Sequence, residues 1–243
     1  MNFSERIQRV EPSATLAISN LAAELEAEGA DVVDLSVGEP DFDTPENVVD
    51  AGKDALDAGK HGYTPSNGIP ELKDAIAEYL DGCGLDYGPE NLIVTPGGKQ
   101  ALYETIQALI GPGDKVVLLD PAWVSYEAMV KLAGGDLNRV DLAPHDFQLE
   151  PAIDELADAI SDETELLVVN SPNNPTGAVY SDDALEGVRD LAVEHDLPVI
   201  SDEIYQQITY GPEPTSLGTV ATWACSRACS HHVWSSSPTS TIR

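Results

Sequence analysis

Four short segments of this sequence carry residue types that can do chemistry. Pro96-Gly97-Gly98-Lys99-Gln100 sets two glycines ahead of a helical pattern. Glycine lets backbone N–H groups approach an anion, and a helix N-terminus adds positive potential, so the segment suits a phosphate; it also suits a plain turn into a helix. Trp123, in Pro121-Ala122-Trp123, offers a flat face to a planar ring or packs as an ordinary aromatic. Asn174 precedes Pro175 in Ser171-Pro172-Asn173-Asn174-Pro175-Thr176-Gly177, so a stiff turn directs its amide. Asp202 follows the β-rich run 199–201. A carboxylate buried there is costly unless it meets a partner such as a protonated ring nitrogen; otherwise it caps a helix. Tyr205 adds a phenol three residues on. Each signal has an ordinary structural explanation. Together they form a site for a phosphorylated, planar, basic heteroaromatic.

These residues must be positioned by elements that bring distant segments together. β-rich runs at 92–95, 115–120, 137–141, 166–170 and 199–201 alternate with helical patterns at 99–110, 124–133, 151–160 and 182–195. Continuous apolar runs such as KVVLL and LLVV suit strands covered on both faces. The alternation predicts an α/β fold: three α/β/α layers around a mainly parallel sheet. Active sites in such sheets gather at the carboxyl ends of the strands, where all four segments lie. Further upstream, the pattern predicts a helix over 13–28 with Ser13 as its cap and Leu16, Leu21 and Leu25 on an apolar stripe. A strand over 32–36 and helices over 46–58 and 70–80 follow.

Charge narrows the function further. The 243 residues hold 43 Asp and Glu against 12 Lys and Arg, a formal net charge of -31. This excludes a protein that tracks nucleic-acid phosphates and disfavours anionic membranes. No apolar run reaches the length of a membrane span. Three cysteines, Cys83, Cys225 and Cys229, make no disulfide framework, so a reducing cytoplasm is expected. Carboxylates spread over many segments with few lysines fit adaptation to high salt, which screens their mutual repulsion. All of the acids precede residue 219. Residues 219–243 carry only Arg227 and Arg243 as formal charges.

The combined motifs resemble the fold-type I pyridoxal-phosphate (PLP) aminotransferases of class I/II, nearest to the prokaryotic aspartate aminotransferases. The resemblance is carried by Pro12-Ser13-Ala14-Thr15, VGEPDFDTPE (37–46), YTPSNGIPELKDAIA (63–77), PGGKQAL (96–102), PAWVSY (121–126), SPNNPTG (171–177) and SDEIY (201–205), and runs to about residue 218. It implies that Gly98 and Lys99 receive the cofactor phosphate, that Trp123 stacks on the pyridine ring and that Asp202 pairs with the pyridinium nitrogen. Asn174 and Tyr205 would bond the ring's phenolic oxygen, and Tyr63 would reach the phosphate of the other subunit in a homodimer. Gly38 would meet the substrate α-carboxylate, with Trp123 and Asn174 also lining the substrate pocket. Thr15 and Lys99 match the positions that hold a side-chain carboxylate, which points to aspartate or glutamate as donor and a 2-oxo acid as acceptor. A prephenate or aromatic aminotransferase is the alternative.

The resemblance also implies residues that this sequence does not contain. The family's Schiff-base lysine lies downstream of SDEIY, and no lysine follows Lys131. The expectation is therefore a PLP-dependent large domain incomplete at its C-terminus. Residues 1–45 would form an N-terminal arm and part of a small domain, 46–218 the truncated PLP-binding domain, and 219–243 an atypical, frameshifted tail. Such a chain is expected to be inactive, to leave apolar helix faces and strand edges open, or to persist as a non-catalytic PLP- or partner-binding remnant. Cys225, Cys229, His231 and His232 have zinc-ligand residue types, but their spacing matches no standard finger, and no metal is assigned.

Overall fold

A computed structural model describes residues 3–11, 14–33, 35, 38, 42–220 and 229–232. They fall into two compact units divided between Tyr63 and Thr64. The first contains α1 (Glu5–Gln8), α2 (Ala14–Ala27) and α3 (Glu46–Asp57). Its described residues bury little: α3 buries none of its side chains, and Ala22 is the buried hydrophobic residue of α2. Leu21 and Leu25, expected on a covered stripe, are exposed. Amphipathic spacing forms the helix, but nothing described within this unit covers the stripe. Leu16 and the proposed cap Ser13 lie outside the described side chains, as do residues 34 and 36 of the strand expected at 32–36. The described residues of that segment, 32, 33 and 35, are not in a strand.

The second unit is built around a parallel sheet. In chain order its elements are α4 (Pro70–Gly82), α5 (Gly98–Leu109), β1 (Lys115–Asp120), α6 (Val124–Ala133), β2 (Asp136–Asp141), α7 (Ile153–Ala159), β3 (Thr164–Asn170), α8 (Asp182–Glu194), β4 (Val199–Asp202), α9 (Leu217–Val220) and β5 (Cys229–His232). The strand order is β2-β1-β3-β4-β5, and every pair is parallel. β1 therefore has its sequence successor β2 on one side and β3 on the other. In α/β sheets ligands bind at such a reversal, which here falls at the carboxyl ends of β1 and β3.

Alternate residues of each central strand enter opposite cores, as the pleat requires. Val117, Leu119, Leu167, Val169 and Val199 pack with Leu156 of α7 and with Leu185 and Val188 of α8. Val116, Leu118, Leu166, Val168 and Ile200 pack with Leu102 and Ile106 of α5 and with Met129 and Val130 of α6. The α/β/α layering expected from the continuous apolar runs is thus present. Each fully buried Leu, Val or Ile contributes about 1.5–3 kcal/mol to holding the strand ends in register.

The run at 92–95 departs from expectation. It has strand composition but is not in the sheet. Its Val94 N–H donates to the Asn67 carbonyl over 3.2 Å, and Ile93 is exposed. Composition alone cannot make a strand; a ladder partner is needed, and no described strand supplies one. No described helix is long and apolar enough to cross a membrane.

Candidate cofactor site at the strand ends

β1, β3 and β4 deliver their last residues to one edge of the sheet. Asp120 ends β1, Asn170 ends β3 and Asp202 ends β4. Asn170 and Asp202 are paired residues in the β3–β4 ladder, which places the two loops that follow them side by side.

Asn170 locks those loops together. Its amide nitrogen donates to the Asp202 carbonyl (2.9 Å) and the Pro172 carbonyl (3.2 Å), and its side-chain oxygen accepts the Asn174 backbone N–H (2.8 Å). The turn is closed by Asn173, whose Oδ1 accepts the Thr176 N–H and hydroxyl. Ser171-Pro172 and Asn174-Pro175 are both cis. Asn174 is so directed that its amide donates to the Tyr205 hydroxyl at 3.1 Å. The two residues expected to act on one phenolic oxygen therefore meet each other.

Asp202 is buried, with two donors on its carboxylate. The Tyr126 hydroxyl donates to Oδ2 (2.7 Å) and the Ile204 N–H to Oδ1 (3.2 Å). Burial, and next the adjacent Asp202 charge, push the Tyr126 phenol far above its ordinary value, so it stays a donor. Tyr126 also meets Trp123 edge-on, with ring centroids 5.4 Å apart and an interplanar angle of 85°. The Lys99 ammonium lies 4.9 Å from the Trp123 ring centroid, in cation–π range. Trp123 sits at the N-cap of α6, after the cis bond between Asp120 and Pro121. Arg139 of β2 bridges Asp120 and Glu127, clasping the two ends of that loop.

At the other end, Gly97 is the N-cap of α5 with φ 94° and ψ 154°, a conformation open essentially to glycine. The Thr95 hydroxyl donates to its carbonyl (2.9 Å). Among the described residues no side chain caps the helix, and a Cβ built on Gly97 or Gly98 would meet nothing within 4 Å. The first-turn N–H groups thus face open space and carry the positive potential of a helix N-terminus. The donor set fits PLP: backbone donors for a dianionic phosphate, an aromatic face, a buried carboxylate for a ring nitrogen, and an amide–phenol pair.

A model of the family "Aminotransferase class I and II" matches residues 30–231. The chain belongs to this family. These aminotransferases are PLP-dependent enzymes, and the expected family, fold and cofactor agree with the match. An aspartate/prephenate aminotransferase of Thermus thermophilus is 50% identical over 221 residues, covering 90% of this chain and 57% of the relative. An aspartate aminotransferase of Bacillus subtilis is 42% identical over 213 residues, covering 87% and 54%. The solved T. thermophilus aspartate aminotransferase with maleate superposes with a TM-score of 0.86 at 49% identity, covering 90% of this chain and 58% of that one. The chain spans little more than half the length of the relatives it matches.

Of the expected site residues, the second unit contains Gly98, Lys99, Trp123, Asn174, Asp202 and Tyr205. Thr15, Gly38 and Tyr63 belong to the first unit. Gly38 and Tyr63 are exposed, and the Thr15 side chain lies outside the described residues, as do those of Cys225, Cys229, His231 and His232. Sequence reasoning missed Tyr126 and Asn170. Tyr126 lies three residues after Trp123, on the same helical face, which is the one signal that could have drawn attention to it.

Proposed function

We propose that this chain carries the ring-and-phosphate half of an aminotransferase site acting between an amino acid and a 2-oxo acid. The carrying observation is the buried Asp202 carboxylate, held by Tyr126 and Ile204 beside the Trp123 face and the Asn174–Tyr205 pair. Bound PLP supplies an electron sink for the substrate carbanion, provided that its ring nitrogen stays protonated. Asp202 holds that proton in place, and Trp123 packs the ring plane and excludes water from one face. Asn174 and Tyr205 orient the ring through its phenolic oxygen. The α5 N-terminus at Gly98 and Lys99 binds the phosphate.

Aspartate or glutamate is the donor in this reading. Lys99 supplies a cation for a second carboxylate, and the similar T. thermophilus structure was solved with the dicarboxylate maleate. Prephenate is the alternative acceptor, supported by the name of the T. thermophilus relative. Tyr63 serves a second subunit's site in a homodimer. The residues assigned to the cofactor ring and phosphate lie in the second unit, within the 46–218 expected for that domain. The net charge of -31 suits a cytoplasm of high salt. Melting temperature is then expected to rise from low to molar KCl; equal melting in both would remove the salt argument.

One sequence observation favours a second reading. Within the 243 residues no lysine follows Lys131, so this chain would hold the cofactor without a covalent bond and without turnover. PLP titration followed by borohydride reduction separates the readings. Binding with no cofactor fixed to protein supports the second reading. Fixed cofactor together with aspartate-dependent amino transfer supports the first. No binding at all contradicts both.

A further inference from the structure

Tyr126 stands between Trp123 and Asp202, two of the residues assigned to the cofactor ring. Its ring packs edge-on against Trp123, and its hydroxyl reaches Asp202 Oδ2 across 76 positions of sequence. The residue is 1% exposed. A carboxylate turns readily about its Cβ–Cγ bond when solvated. Here one oxygen is held from α6 and the other by the backbone of the turn after β4. Each oxygen retains a further acceptor site. Hydrogen bonds to a charged group are stronger than those between neutral groups.

We propose that Tyr126 is a positioning residue: it fixes the Asp202 carboxylate for the cofactor's ring nitrogen and ties that acid to the stacking face of Trp123. Acid and stacking face are then set by one side chain, which Phe could replace in volume but not in hydrogen bonding. The inference rests on the assignment of Asp202 to the ring nitrogen. A role in packing alone predicts no effect of removing the hydroxyl, because Phe keeps the edge-on contact.

The test titrates PLP into the full 243-residue chain, reading cofactor absorbance and tryptophan fluorescence. It compares wild type, Tyr126→Phe, Asp202→Asn and the double variant. Tyr126→Phe is expected to raise Kd roughly tenfold, Asp202→Asn by more, and the double variant to match Asp202→Asn. Unchanged Kd in Tyr126→Phe alongside weakened binding in Asp202→Asn overturns the positioning role and leaves the assignment of Asp202 intact. Unchanged Kd in Asp202→Asn overturns both. A further loss in the double variant also overturns the proposal, since Tyr126 would then act independently of Asp202. If Tyr126→Phe does not fold, Asp202→Asn against the double variant decides the matter by the same criterion.

Discussion

The end of the proposed site assigned to the ring nitrogen and the end assigned to the phosphate are built by opposite means. At the first end, Asp202, Tyr126 and Asn170 are buried or linked by hydrogen bonds to other elements, and their positions follow from the sheet register. At the second end, the donors are backbone N–H groups of α5 and the exposed Lys99, with open space around Gly97 and Gly98. The difference is one of preorganisation. A group that sets the electronics of a ring must not reorient, so it is held in low dielectric by several donors. A group that attracts a dianion can work through helix potential and an exposed cation, at the expense of sensitivity to salt.

That contrast can be broken by substitution. Gly97→Ala should injure the open end through the backbone alone. With φ 94° and no neighbour to clash with a Cβ, the cost is conformational, about 1–3 kcal/mol, and should read as a matching fall in phosphate-dependent PLP affinity or in melting stability. Unaltered values for both would mean that the turn is not held in this form.

The buried end should show itself in alkali. The Tyr126 phenol is raised in the folded chain above the ordinary 10.0, so the unfolded chain loses its proton first. Its contribution to stability is full below pH 10 and falls as pH rises beyond it, by about 1.4 kcal/mol per pH unit for one proton. Tyr126→Phe should flatten that loss in denaturant titrations between pH 9 and 11. An identical slope would show that the phenol is not buried against a charge. Arg139→Ala removes the half-exposed bridges to Asp120 and Glu127 and should cost less than about 1 kcal/mol in the same titrations. A larger loss would mean that the Trp123 loop depends on the clasp.

Much of the second unit was legible because its signals are local. The runs that became β1, β3 and β4 are apolar at consecutive positions, and the cores on both faces of the sheet account for that. Trp123, Asn174, Asp202 and Tyr205 were legible because each lies within four residues of the end of one of those runs. Tyr126 was not, since its importance depends on Asp202, which packing alone brings near. Asn170 was hidden for the same reason: it reads as the polar end of a strand, yet it joins two loops. The run at 92–95 was misread because strand composition says nothing about whether a neighbour exists. Leu21 and Leu25 show the same limit for helices, where spacing specifies a face but not what covers it.

The central claim is that Asp202 is the acid of a PLP ring site, and equilibrium binding of PLP to wild type and Asp202→Asn tests it most directly. A charge-assisted hydrogen bond in a buried site is worth about 1.5–3 kcal/mol, so Kd should rise roughly tenfold to a hundredfold in the variant while the fold is retained. Equal affinity in the two folded proteins would contradict the account.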